Sequence, residues 1–430
     1  MAKTSNNSKS SKNQKSVQVK AKGSKGKGNG ANGKRSEQAS PSVSQSKALS
    51  AAGSDLATLR SQLVEADKAL LDALNKKIEL ERKYFELNCG QSKTVTGKGD
   101  GADGKSAMAL GSRYTDWNLD HQRIESMALC ARRQSGGASE NCVRAVFREA
   151  LGDVRASVHP TRVAYLGPEF SFTHLAALKY FGTGVELIPV SSIAGIFEQA
   201  QSGECDFGVV PIENSTDGRI VDTLDMFTKT KIKISGESII PICHCLIGNL
   251  PRSSIKTVYS KAQALSQCRN WLAKCLSGAE LVACNSTTQA VELALAGADN
   301  GVAAIASLEA AKAYEVDVLV ENIADNPDNR TRFVVLSKNS YDRKGNDKTA
   351  LMFQLKHVAG SLADALNIFK RNHLNLTWIE SFPVHGTDNE YLFFAEMEGH
   401  FKDLKIRRAI DALGKRSVRL EILGSYPAAK

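Results

Sequence analysis

The sequence predicts an α/β and α+β multidomain chain: helical toward its N-terminus, α/β in its middle and α+β at its C-terminus. Three observations carry that prediction. A helical repeat runs from Asp55 to about Leu87, with Leu56, Leu59, Leu63, Ala66, Leu70 and Leu74 at three- and four-residue steps. From Arg162 the period changes, and short apolar runs alternate with helical segments. The last stretch, 349–427, reads strand, helix, strand, turn, strand, helix, strand. The 430 residues leave room for roughly two to four domains.

Residues 1–50 stand apart. They hold ten Lys, Arg35 and the single acid Glu37, so the formal charge of +10 resides in them and the rest of the chain balances to zero. Poor in large apolar residues, this stretch cannot offset its ordering entropy by burial, and a disordered tail is expected. It lacks the apolar core of a secretory signal. No apolar run approaches the ~20 residues of a membrane span. A neutral body argues against nucleic acid as a partner beyond non-specific contacts of the tail. The nine Cys are scattered, which points to free thiols in a reducing, cytoplasmic setting and to no metal site. Cys243-His244-Cys245 is too tight to chelate alone and sits in an apolar run.

In chain order, Ser54 is placed to cap the helical repeat, and no Pro or Gly interrupts it. Such a helix must bury its stripe on partner helices, from this chain or another copy, so at least a dimer is expected. A Gly-rich insert near 89–113 reads as a loop. Helical segments near Asp116–Arg133 and Glu140–Val158 close a region spanning 51–158. Over 160–338, strand signals fall at Val163–Leu166, Val185–Val190, Phe207–Val210, Ser238–Ile247, Thr257–Tyr259, Ala303–Ala306 and Phe333–Leu336, with a helix at Phe172–Phe181. Alternation on this scale predicts a largely parallel sheet. Asn339–Lys348 reads as a linker. In 349–427, with a helix at Ser361–Arg371 and a turn at His385–Asn389, the order is that of a ferredoxin-like βαββαβ module.

Two polar inserts border buried runs: Pro211-Ile212-Glu213-Asn214-Ser215 and Asn329-Arg330-Thr331-Arg332-Phe333. Polar residues at strand ends are where α/β enzymes bind ligands. Together with Val163–Glu169, Ser171–His174, Tyr259-Ser260, Gln267-Cys268, Ser286-Thr287 and Ala304–Ser307, these inserts make 162–338 resemble prephenate dehydratase. Residues 349–427 resemble the ACT regulatory domain that follows it. Residues 51–158, through Val146-Phe147-Arg148-Glu149, more faintly resemble the helical chorismate mutase domain of bacterial P-proteins.

The resemblance implies two α/β lobes with a site between them and conversion of prephenate to phenylpyruvate, CO2 and water, without a cofactor or metal. It makes Thr331 the general acid for the leaving hydroxyl, with Asn214, Gln267 and Ser260 as supporting donors and acceptors. Ser171, Thr173, Ser215, Ser286, Thr287, Ser307 and Arg332 become candidates for binding substrate. Gly360, Ser361, Leu362, Glu380, Ser381, Phe382 and Pro383 fall where the ACT domain takes L-phenylalanine between subunits of a homodimer or homotetramer. Arg60, Lys77, Asp120 and Arg123 match mutase-site positions.

Several residues depart from the family pattern. Phe170 replaces a turn glycine, so the loop must differ locally or bury the ring. Phe382 replaces an Arg and Lys261-Ala262 a His-Pro pair. In the mutase-like part Asn88, Ile124, Val154 and Val158 replace polar residues, which favours a structural or dimerising role. Alternatives to a prephenate dehydratase are an arogenate dehydratase, an enzyme with both mutase and dehydratase activity, and a non-catalytic amino-acid sensor. Retention of Thr331, Asn214 and Gln267 speaks against the sensor.

Overall fold

The computed structural model describes residues 43–90, 117–133, 137–158, 160–383 and 390–429. The Gly-rich insert and the turn at 385–389 lie outside the described residues, as does the tail up to residue 42. The chain divides into two compact units, Met1–Lys68 and Ala69–Lys430.

Helix α1 runs Val43–Gly90. It starts earlier than expected: Val43–Ser50 are helical rather than tail, and the helix runs through Ser54 instead of being capped there. Ala48, Ala51 and Ala52 are strong helix formers that extend an existing helix at little cost. Helices α2 (Trp117–Arg132) and α3 (Glu140–Val158) follow. Trp117 meets Phe181 edge-on at 5.1 Å, which seats α2 on the α/β body. Gly152 of α3 backs onto Gly184, where a Cβ on Gly184 would lie 2.3 Å from the Gly152 carbonyl carbon.

Two mixed sheets make up the middle. The first contains β1 (Arg162–Leu166), β2 (Glu186–Val190), β3 (Phe207–Asn214), β4 (Gly218–Arg219), β5 (Lys233–Pro241) and β11 (Arg330–Ser337), in the order β2-β1-β3-β11-β5 with β4 on β3. The second is β10-β6-β9-β7-β8, from β6 (Cys245–Ile247), β7 (Thr257–Lys261), β8 (Glu280–Cys284), β9 (Val302–Ala306) and β10 (Val318–Val320). Two expectations need correction. The run Ser238–Ile247 is two strands in different sheets, because residues 242–244 carry the chain from one lobe to the other. Nor are the sheets largely parallel: β11 returns from the second lobe and inserts antiparallel between β3 and β5.

Both faces of the first sheet are buried. On one, Val163, Tyr165, Val209, Phe333 and Val335 pack on helix α4 (Phe172–Phe181). On the other, Ala164, Val210, Val334 and Leu336 pack on α5 (Ile193–Ser202), α6 (Val221–Lys229) and the third sheet. That sheet, β13-β14-β12-β15, is antiparallel and contains β12 (Asp347–Leu355), β13 (Leu376–Pro383), β14 (Tyr391–Glu398) and β15 (Ser417–Pro427). Its other face packs on Ala365, Ile368 and Phe369 from the helix Ser361–Arg371 and on Ile406, Ala409 and Leu413 from the helix Leu404–Gly414. At Gly424 the third sheet comes so close to β5 that a Cβ would lie 2.1 Å from the Ile234 carbonyl oxygen.

Candidate active site between the lobes

A β-bulge builds the centre of the site. Phe333 pairs with Pro211 and Arg332 with Glu213, leaving Ile212 as the extra residue of β3. The bulge shifts the alternation, so Asn214 and Thr331 share one face while Glu213 and Arg332 share the other. Asn214 Nδ2 donates to Thr331 Oγ1 at 2.8 Å and to Asn329 Oδ1 at 3.0 Å. The orientation of this amide is fixed, because its Oδ1 accepts the backbone N–H of Thr216 (2.9 Å) and of Asp217 (3.0 Å). Thr331 therefore accepts through its oxygen and keeps its own proton to give. The centre of this arrangement is buried: Asn214 is 4% exposed and Thr331 7%.

The network crosses into the second lobe. Asn329 Nδ2 donates to Gln267 Oε1 at 3.0 Å, and Ser215 Oγ donates to Asn329 Oδ1 at 3.3 Å. Gln267, on the short helix α7 (Ala262–Gln267), gives its Nε2 proton to Asp217 at 2.7 Å. Its Oε1 also meets His244 Nε2 at 2.8 Å. Because that oxygen can only accept, His244 carries its proton on Nε2. Burial lowers the His244 pKa, opposed by Gln267 and Asp217, which keeps the ring neutral. Its Nδ1 is buried without a partner among the described residues.

The structure brings Thr331, Asn214, Gln267 and Ser215 together and adds Asn329, Asp217 and His244, which sequence reasoning missed. His244 was masked by its apolar neighbours. Asn329 opens the polar insert Asn329–Phe333, where it reads as a turn residue beside the catalytic candidate.

Ser260 belongs elsewhere. It is fully buried and donates to the Ile305 carbonyl at 2.7 Å, so it braces β7 against β9 and its proton is not directed at the cleft. Arg332 also faces away: it contacts Glu396, Glu237 and Glu213 and lies over the Trp378 ring, beneath the third sheet. Its placement among substrate-binding residues is corrected accordingly.

Ser171, Ser286 and Ser307 each accept a backbone N–H three residues on, capping α4, α8 (Thr287–Ala296) and α9 (Leu308–Ala313). Their own oxygens are thus engaged, while the first turns they cap offer N–H groups to anions. Thr173 is buried in α4 and Thr287 opens α8. Phe170 adopts a left-handed backbone, with φ of 61°. Its N–H donates to His174 Nδ1 at 3.0 Å, and its ring packs edge-on against His174 and Tyr314. The loop also spans the lobes, since Thr288 Oγ1 donates to the Glu169 carbonyl at 2.9 Å.

At the C-terminal module, Phe382 is 3% exposed and lies against Phe394 in the core shared with the first sheet. Its ring is thus taken up by packing within its own chain. Glu380 on the same face pairs with Arg219 at 3.1 Å. Gly360 precedes its helix with φ of 86°; Ser381 and Pro383 are exposed, Ser361 is half-buried and Leu362 is 37% exposed.

In the helical region Glu81 lies between Lys77, at 2.9 Å, and Arg123. Burial pushes its carboxyl pKa upward, but the hydrogen bonds from Arg123 and Lys77 outweigh burial and the net shift is downward. Asp120 is paired with Arg155 at 2.6 Å. Arg60 is exposed and lies in the first unit. The side chain of Asn88 is outside the described residues.

Two α/β lobes joined by a polar network around a buried, amide-bonded hydroxyl define the class of two-lobed α/β proteins with a candidate site at the joint. The family model described as prephenate dehydratase matches residues 163–341. A bifunctional chorismate mutase/prephenate dehydratase of Aquifex aeolicus is 33% identical over 377 residues, covering 87% of this chain and 98% of the relative. The Arthrobacter aurescens prephenate dehydratase, solved in complex with L-Phe, aligns with a TM-score of 0.58 and 32% identity over 63% of this chain and 90% of that one. GqqA, described as a novel type of quorum quenching acylase, aligns with a TM-score of 0.57 and 26% identity over 62% of this chain and 98% of that one. The chain belongs to the prephenate dehydratase family.

Proposed function

We propose that this chain converts prephenate to phenylpyruvate and that Thr331 is its acid. The observation that carries this reading is the 2.8 Å bond from Asn214 Nδ2 to Thr331 Oγ1. As the carboxylate–ring bond breaks, its electron pair enters the ring and expels hydroxide. Thr331 protonates that hydroxide to water, CO2 leaves, and solvent restores the Thr proton. An alcohol is a weak acid, so aim and support of the developing oxyanion must supply the rate. The Asn214 donor supplies that support. Substrate carboxylates are assigned to the helix starts at Ser171 and Ser286 and to Thr173 and Thr287.

The acylase similarity raises a second reading, amide hydrolysis with Thr331 as nucleophile. A nucleophilic hydroxyl needs a base to take its proton. Asn214, the group on the Thr331 oxygen, is a donor and cannot be that base, so proton donation is favoured. Arogenate remains the alternative substrate.

For the helical region we infer a structural role. Glu81 already pairs with both Lys77 and Arg123, which a dianionic substrate of the mutase reaction would need free. The relatives' bifunctional names argue for activity, and chorismate turnover measured on the purified chain decides. Exposed Leu59, Leu63, Leu70 and Leu80 on α1 support a homo-oligomer. L-phenylalanine control is assigned to Gly360, Ser361, Leu362, Ser381 and Pro383.

The test is phenylpyruvate formation from prephenate by wild type and Thr331→Ala. A loss of roughly 100-fold or more in kcat is expected. Folded wild type without turnover, or an unimpaired mutant, would sink the assignment.

A further inference from the structure

We infer that Arg332 is a positioning residue: gripped by Glu396 of the third sheet, it fixes the strand from which Thr331 presents its hydroxyl. This rests on the reading of Thr331 as the acid.

Consecutive residues of a strand point to opposite faces. Thr331 faces the cleft, and Arg332, one residue on, faces the third sheet. There its Nη1 lies 2.6 and 2.7 Å from the two oxygens of Glu396 on β14 and 3.3 Å from Glu237 on β5. Its Nε donates to Glu213 on β3 at 3.1 Å. The guanidinium sits 5.2 Å from the Trp378 ring.

Three carboxylates from three strands thus converge on one cation. Two of those strands, β3 and β5, flank β11 and set its register: Thr331 pairs with Asn214 and Ile240, Arg332 with Glu213 and Ile239. The third carboxylate comes from the C-terminal module. Glu396 is 1% exposed, and Tyr426 donates to it at 2.8 Å; Lys348 of the same module donates to Glu237 at 2.9 Å. Burial opposes the charge on Arg332, and the carboxylates of Glu396 and Glu237 outweigh it, so the cation is held firmly. A buried cation of this kind has one place to sit, and its strongest use is to fix register rather than to add stability. The sequence placed Arg332 among the candidates for binding substrate; the geometry gives its charge a structural purpose instead.

A weak acid such as a Thr hydroxyl depends on aim, and a displacement of about 1 Å can cost about 100-fold in rate. Loosening the Arg332–Glu396 contact should therefore lower kcat and leave substrate binding almost intact.

The experiment uses the full chain with Glu396→Gln, Tyr426→Phe and Arg332→Lys. The control is Phe369→Leu, which weakens the third module on the far face of its sheet. Prephenate turnover, melting temperature and amide exchange of the Arg330–Val334 segment are measured together. Expected for Glu396→Gln is a fall in kcat of roughly 10–100-fold with KM within about twofold, and faster exchange in that segment. Tyr426→Phe removes only one hydroxyl and should shift both readouts less, in the same direction; it decides the matter where the charge variants fail to fold. Arg332→Lys should act like Glu396→Gln, since an ammonium cannot reproduce the contacts of the guanidinium. Phe369→Leu should lower the melting temperature with kcat and exchange unchanged. Wild-type kcat and exchange in folded Glu396→Gln and Tyr426→Phe would overturn the inference, as would an equal kcat loss in Phe369→Leu. A folded wild type that turns over no prephenate fails the dehydratase reading instead; the exchange comparison still decides whether the clamp holds β11.

Discussion

At the scale of single residues, chemistry is set by who donates to whom. Asp217 accepts from Gln267, which turns the Gln267 oxygen toward Asn329 and His244, and the tautomer of His244 follows. His244 is therefore expected to matter for the pH profile. Its folded pKa lies below the usual value of about 6.5, so the ring is neutral above that pH and gains a proton only as pH falls through the lowered pKa. The added charge would lie buried at the lobe joint. Activity should be flat above pH ~6.5 and fall on the acid side, and His244→Gln, which keeps an N–H donor, should flatten that limb in kcat/KM. An unchanged acid limb in the variant would assign it to another group. Thr331, Asn214 and Gln267 were legible because a motif carried them. His244 was not, because an apolar run around a histidine reads as core.

Elements were more legible than their partners. The helix at Phe172–Phe181, the helix at Ser361–Arg371 and the edge strand at 186–190 follow from periodicity, since burial on one or both faces dictates which residues are apolar. Sheet order does not follow, because nothing local tells β11 to leave the second lobe and pair antiparallel with β3 and β5. The bulge at Ile212 was equally hidden, although Pro211 within a strand is the kind of residue that accompanies one. Close backbone approaches are another element-scale property. Where α3 meets the first lobe, Gly184 has no room for a side chain: a Cβ would stand 2.3 Å from the Gly152 backbone. Gly184→Ala must push α3 outward, and a loss of about 1–3 kcal/mol in denaturant unfolding is expected, as for overpacked cores. A variant as stable as wild type would mean that this joint adds no stability.

For the whole molecule, charge at the joint between helices and lobe should make stability depend on pH. His121 of α2 packs against Tyr180 of α4 at 4.5 Å between ring centres. Burial first, and then the nearby cation Arg148, push its pKa down to about 4, against opposing contributions from the Tyr180 backbone and Glu125, with Arg155 adding the least. In the unfolded chain the ring titrates near 6.5. Between those two values the unfolded chain binds a proton that the folded chain does not, so stability falls as pH drops from about 6.5 to about 4 and levels off below. Asp120 beside it works in the opposite sense. Its carboxyl is raised by burial against the pull of Arg155, so the folded chain holds that proton more tightly and gains stability as pH falls through the carboxylate range. The raw profile therefore mixes opposing slopes, with His244 and Glu81 contributing as well, and the informative quantity is the difference between wild type and His121→Gln. That difference should be constant above pH ~6.5 and shrink by close to one proton's worth of slope down to about 4 in denaturant unfolding series. A difference independent of pH would mean that His121 is hydrated in the folded chain and that α2 is not sealed onto the lobe.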